Sequence, residues 1–280
     1  ARRQRQMCIR DSHEDERLGV TTPEKPATIV IDYSAPNVAK EMHVGHLRTT
    51  VVGDALARVL EFEGHTVVRQ NHIGDWGTPF GMLIEHLLEV GEASEEAKLL
   101  ETDPNAFYQA ARAKFDADVE QTDFAKRARA RVATLQSGDE ATLAMWTKLV
   151  GLSKQYFHRI YDMLDVTLTD KDLAGESTYN DALAGVCDDL EQADIARVSD
   201  GALCVFPDGF KGRDDQPLPL IIRKSDGGYG YATTDFAAIR HRVNDLHADR
   251  IAYVVGSSQE LHFQMVFTTA REAGWLPESV

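Results

Sequence analysis

Cysteine is scarce: Cys8, Cys187 and Cys204 are the only three, and no pair stands at CxxC spacing. A disulfide framework and a zinc knuckle are thereby excluded as organising devices, and a reducing compartment, hence the cytosol, is expected. Long apolar runs are missing too. Nothing approaches the roughly 18 apolar residues of a membrane span, and no short apolar stretch of a secretory signal opens the chain. No GxGxxG follows the first strand-like run, which ranks a dinucleotide oxidoreductase last. Basic residues are outnumbered, 30 Lys+Arg against 45 Asp+Glu, for a formal charge of −15. A surface that coats nucleic acid generally is disfavoured, because phosphate binding rests on clustered Lys and Arg; a local basic patch stays compatible.

What is present is globular: 280 residues, 43% hydrophobic and 27% charged. At about 150 residues per domain this is one large domain or two smaller ones. Residues 1–24 read as a disordered or non-native tail, since they lack apolar periodicity, and RQRQMCIRDS resembles translated sequencing-adapter sequence. Order begins at Thr28–Tyr33, a β-branched run suited to a buried parallel strand. Leu47, Val51, Val52, Ala55, Leu56, Val59 and Leu60 then recur at three and four, predicting an amphipathic helix closed by Gly64. Thr66–Gln70 is a second strand, parallel to the first by crossover handedness, and a helix over 80–90 follows the loop NHIGDWGTP.

Residues 92–165 turn rich in Ala, Glu, Arg and Lys at helical spacing and read as a helical insertion; a small α/β insertion is expected over about 178–218. Strand signals at Leu220–Arg223 and Arg250–Val255 flank a helix over about 234–243, and a last helix runs over 259–274. Strands alternating with helices at both ends of the chain predict an α/β fold, a doubly wound, mostly parallel, Rossmann-like sheet carrying an insertion.

The segment from Asp32 to His46, DYSAPNVAKEMHVGH, falls between the first strand and the first helix, where open α/β sheets bind ligands. His43 and His46 share a helix face and can point together at a phosphate, helped by the positive helix N-terminus. Gly45 removes a side chain, so a flat ring such as adenine can lie against the backbone. Two histidines at a helix start also serve simply to cap and pack it. A zinc pair ranks below both readings, because no third ligand recurs at a suitable spacing.

These residues, with GDWGTPFGML, the block LAGESTYND and the run from Ser225 to Phe267, resemble in order the catalytic domain of arginyl-tRNA synthetases, class I enzymes whose HIGH signature HVGH resembles. The resemblance spans about residues 25–280. It implies ATP, as its Mg²⁺ complex, at Lys40, His43, Gly45 and His46, with the two histidines catalytic and Arg48 a further basic neighbour. It implies L-arginine at Asp32, Asn37, Glu176, Tyr231, Asp235 and Gln259, and tRNA(Arg) as second substrate. A guanidinium does call for carboxylates in a fixed fork. Taken singly, Asp32 serves as well for a turn cap, Asp235 for a first helical turn and Gln259 for a helix start. Pro79 departs from the family's glutamine and suits a first helical turn, and Trp76 and Phe80 read as packing.

The implied reaction joins the arginine carboxylate to the α-phosphorus of ATP and then transfers the arginyl group to tRNA, with tRNA needed for the first step. The family's mobile phosphate-binding loop, its N-terminal domain and its anticodon-binding domain have no counterpart here, so a truncated, weakly active or inactive piece is expected. A cytoplasmic monomer without membrane contact completes the expectation. Another HxGH-type nucleotidyltransferase is one alternative, for which Asp32, Tyr231 and Asp235 would not converge; a non-catalytic binding module derived from a synthetase is the other.

Overall fold

A computed structural model of the chain describes residues 15–38, 40–117, 123–212 and 215–280; the expectations for residues 1–14, Cys8 among them, lie outside it. The β-branched run forms β1 (Thr28–Asp32), which pairs in parallel with β2 (Thr66–Gln70) on one side and with β6 (Arg250–Tyr253) on the other. The order β2-β1-β6 puts β1 in the centre. Connections leave a central strand in opposite directions there, so a crevice opens beyond its carboxyl end, the place where such sheets bind ligands.

The helices are α1 (Val44–Glu63), α2 (Thr78–Val90), α3 (Leu99–Thr102), α4 (Pro104–Ala117), α5 (Phe124–Gln136), α6 (Glu140–Met163), α7 (Leu183–Gln192), α8 (Tyr231–Asn244) and α9 (Glu260–Glu272). Alternation along the strands sends side chains to two cores. Ile29, Ile31, Ala252 and Val254 pack with α1, α2 and the helices up to α6, whereas Ile251 and Tyr253 pack with α7, α8 and α9. Both faces of the sheet are covered, as the doubly wound reading requires.

Local chemistry explains the boundaries. Gly64 ends α1 at φ 101°, a left-handed conformation that glycine adopts without a Cβ penalty. Pro79 sits in the first turn of α2, where its missing N–H is not needed. Phe80 is fully buried and Trp76 meets Trp146 edge-on at 5.5 Å, so both aromatics pack. In the described part of the expected tail, the Arg17 guanidinium donates to the Phe62 carbonyl at the end of α1.

One strand pairs elsewhere than the alternation of elements suggests. Leu220–Arg223 is β5 of a separate antiparallel sheet with β3 (Ala196–Ser199) and β4 (Ala202–Val205), Val205 lying opposite Leu220. The reason is visible in the residues. Leu220 and Ile222 are buried while Ile221 is exposed, the period of a half-solvated antiparallel strand, whereas β1 buries consecutive residues as a central parallel strand does.

Close backbone packing holds α1 to the sheet. A Cβ on Gly53 would lie 2.3 Å from the Tyr33 side chain, while one on Gly151 in α6 would meet nothing within 4 Å. Gly53→Ala is therefore expected to cost about 1–3 kcal/mol by overpacking. Gly151→Ala is expected to gain up to about 1 kcal/mol from helix propensity. Chemical denaturation of the two variants side by side checks the opposite signs.

Candidate functional site

Beyond Asp32 the chain turns through Ser34 at φ 70° and Ala35 at φ 43°, left-handed backbone that persists only where surroundings impose it. Here a buried polar network imposes it. Ser34 Oγ lies 2.7 Å from the Tyr161 hydroxyl and accepts from Thr50 Oγ1 at 2.8 Å; Asn71 accepts from the Ala35 N–H at 3.0 Å and donates to Tyr161 at 2.9 Å. The turn is thus bonded to α1, to α6 and to the segment after β2.

That segment, residues 71–77, is the hub of the site. Asn37 bridges to Gly74, with Gly74 N–H donating to the Pro36 carbonyl and Val38 N–H to the Gly74 carbonyl, both at 3.1 Å. A Cβ on Gly74 would come within 2.7 Å of Asn37 Oδ1, so any larger residue there would make the Asn37 side chain move. Asn37 itself is exposed.

His43 is the N-cap of α1. Its Nδ1 accepts from the Gly45 N–H at 3.1 Å, and His46 Nδ1 accepts from the His43 N–H at 3.3 Å; the rings stack at 3.8 Å. Capping and anion binding are compatible here. With both Nδ1 atoms accepting, the proton of each neutral ring resides on Nε2, so each ring keeps an N–H donor for an anion beyond the helix start. Gly45 has a nearer reason than a bound base: a Cβ there would lie 2.8 Å from His43 Cε1. The Lys40 ammonium lies 4.4 Å from the centre of the Tyr108 ring on α4.

Burial, then the proximity of His43 and Lys40, holds the His46 imidazole below its usual pKa. A base depressed on folding binds fewer protons in the folded than in the unfolded chain. Its contribution to stability is intact above the unfolded value of about 6.5 and is lost as pH falls through that value toward the folded one. His46→Gln is expected to flatten the acid-side fall in melting temperature between pH 7.5 and 5.5.

The acidic residues come from the other face of the sheet. Tyr231, Asp235 and Arg242 lie along one face of α8, since steps of four and seven return to nearly the same helical angle. Asp235 Oδ2 is 2.6 Å from His262 Nε2 on α9, and its Oδ1 is 3.8 Å from His72 Nε2; His72 Nδ1 donates to the Ala174 carbonyl at 2.9 Å. Tyr231, largely exposed, has its ring centre 4.8 Å from that of His262. Glu176 opens the 3-10 turn Glu176–Ala182. Its burial, and the carboxylates of Asp75 and Asp235 facing it, push its pKa up to about 8. Asp75 is held by the Ser177 N–H at 2.9 Å and Oγ at 2.6 Å, and burial raises its pKa as well.

Glu176, Asp235 and Tyr231 therefore gather at one place. Asp32 stands one step removed: its Oδ2 accepts from Arg242 Nη2 at 2.7 Å, both side chains being buried. Asn37 adjoins the hub segment that carries His72 and Asp75, whereas Gln259, exposed at the start of α9, makes no side-chain hydrogen bond to these residues among those described. The reading of the sequence did not single out His72, Asp75, Arg242 or His262. Helical spacing from residues it did name, Asp235 to Arg242 and Gln259 to His262, was the available signal. The arrangement offers donors for an anion at the start of α1 and acceptors for a cation between Glu176 and Asp235.

The family described as tRNA synthetases class I (R), catalytic domain, matches residues 11–280. The arginine–tRNA ligase of Thermobifida fusca is 70% identical over 268 residues, which are 96% of this chain and 46% of the relative. That of Streptomyces avermitilis is 55% identical, again over 96% of this chain and 46% of its own length, so the chain spans under half of these relatives. Arginyl-tRNA synthetase from Plasmodium falciparum superposes with a TM-score of 0.74 at 32% identity, covering 91% of this chain and 42% of that one. The Thermus thermophilus enzyme, at 20% identity and a TM-score of 0.58, shares the fold. By sequence and by fold, the chain belongs to the catalytic-domain family of class I (R) tRNA synthetases.

Proposed function

We propose that the chain is the catalytic core of an arginine–tRNA ligase, which joins L-arginine to ATP as arginyl-adenylate and passes the arginyl group to tRNA(Arg). The observation that carries this reading is that Glu176 and Asp235, from distant segments, face each other beside residues 72–73, just beyond the carboxyl end of β2. A buried carboxyl group with a second carboxylate facing it makes a site that a planar cation stabilises. Tyr231, Asp32, Asn37 and Gln259 complete the set we assign to arginine, and His43, Gly45, His46 and Lys40 the set we assign to ATP.

In the first step a carboxylate oxygen of arginine attacks the α-phosphorus of ATP and pyrophosphate leaves. In the second a ribose hydroxyl of the tRNA end attacks the activated carbonyl and AMP leaves. The first nucleophile arrives ionised, so the protein's task is positioning and charge stabilisation. His43 and His46 Nε2–H and the first N–H groups of α1 face developing phosphate charge; Mg²⁺ enters as part of the nucleotide substrate. Lysine is discriminated against because an ammonium cannot satisfy acceptors arranged for a fork.

Among the described residues no helix is long and apolar enough to cross a membrane. We place the protein in the cytoplasm as a monomer, which sedimentation equilibrium tests. Titration calorimetry of the 280-residue chain tests the substrate: L-arginine is expected to bind at least tenfold more tightly than L-lysine, and equal affinities would defeat the reading. Pyrophosphate exchange by the full-length gene product, dependent on arginine, ATP and tRNA together, tests the reaction.

A further inference from the structure

Arg242 is fully buried, yet it spends its donors sparingly. Nη2 donates to Asp32 Oδ2 at 2.7 Å, while among the described residues Nε and Nη1 make no hydrogen bond of good geometry, the Tyr179 and Tyr253 side chains lying beside them. Its guanidinium carbon lies 5.0 Å from the centre of the Tyr253 ring, and the buried Tyr253 hydroxyl finds no hydrogen-bond partner of good geometry among the described residues. An arginine kept to hold a fold would be expected to use its whole fork, because a buried guanidinium recovers its desolvation cost only when its donors are satisfied. A buried ion pair is in any case weak evidence of stabilisation, since apolar residues of similar volume often do as well.

The position is more informative than the energetics. Arg242 shares one face of α8 with Tyr231 and Asp235, so the helix that brings an acid to the cation pocket also brings a cation to Asp32. Asp32 ends the central strand and has one carboxylate oxygen taken by Arg242; Oδ1 makes no hydrogen bond among the described residues.

We propose that Arg242 is a positioning residue for arginine recognition: it grips one oxygen of Asp32 and so aims the other at the incoming amino acid's positively charged end. This rests on the reading of the site as an arginine pocket. A cation held on one carboxylate oxygen fixes the side-chain torsion and leaves a single presented acceptor, which a flexible or neutral partner at 242 would not do. The ion pair also crosses the sheet end from α8 to β1, so it sets the distance between the acids of α8 and the end of the strand.

The test is titration calorimetry of the 280-residue chain with L-arginine and, separately, with ATP·Mg²⁺, for Arg242→Lys and Arg242→Gln. Arg242→Lys keeps the charge and is expected to fold; it loses the planar fork. The expected result is arginine affinity lowered by about tenfold in Arg242→Lys and about a hundredfold in Arg242→Gln, the range of a lost charge-assisted hydrogen bond. ATP affinity is expected to stay within about twofold of the parent in both. A role confined to stability would move both affinities and the melting temperature together, and that outcome overturns the proposal. So does arginine affinity unchanged in a folded Arg242→Lys protein, which would leave the pocket reading standing. Absence of arginine binding by the unsubstituted chain would remove both.

Discussion

Replacing Asp32 by leucine with Arg242 left in place is expected to cost about 3–5 kcal/mol of folding stability, the usual consequence of stranding one member of a buried pair. Among the described residues Arg242 has no second carboxylate partner, so the orphaned guanidinium would have only the Tyr253 and Tyr179 side chains beside it. The double variant Asp32→Leu/Arg242→Met is expected to regain most of that loss, because both charges go and the volume is kept roughly constant. Urea denaturation of the two singles and the double closes the cycle, and a coupling below about 1 kcal/mol would mean that the pair is not what ties α8 to β1.

Arginine binding is expected to expel a proton near neutral pH. Burial and the facing carboxylates push the Glu176 pKa up to about 8, so at pH 7 it is mainly neutral; a guanidinium alongside favours the charged form. Apparent affinity should then climb as pH rises toward 8, approaching tenfold per unit well below that value, and level off above it. Calorimetry in two buffers of different ionisation enthalpy reads the released proton directly. Glu176→Gln should abolish the release, flatten the profile and weaken binding at pH 8.5 by about ten- to a hundredfold. The same group acts on stability with a definite sign. A carboxyl raised on folding binds more protons in the folded chain between its unfolded value near 4.5 and about 8, so the empty protein loses stability as pH rises through that window, and arginine offsets the loss.

How much of this was legible beforehand depends on whether the determinant was local. The strand Thr28–Asp32, the helix after it and the cap at Gly64 were readable, because period, β-branching and a terminal glycine act within a few residues. The partner of Leu220–Arg223 was not: four apolar-rich residues specify a strand but not which sheet it joins. At the signature loop, capping and binding looked like competing accounts of His43 and His46. They coexist because an imidazole has two nitrogens and the cap uses one. Arg242 was hidden for a different reason. A fully buried arginine runs against the expected distribution of charge, and its partner stands at the far end of the chain, where no periodicity reaches.

Among the described residues the central sheet is three strands wide, and adjacent residues of β6 look into different cores. Stripping either helical layer would therefore lay bare one side of the same four-residue strand, so neither half of the molecule can open by itself at low cost. Amide hydrogens of β1 and α8 should exchange with solvent in one cooperative event rather than as separate local openings. A pocket assembled from both layers would then vanish and re-form as a unit, with no half-built version for substrate to meet.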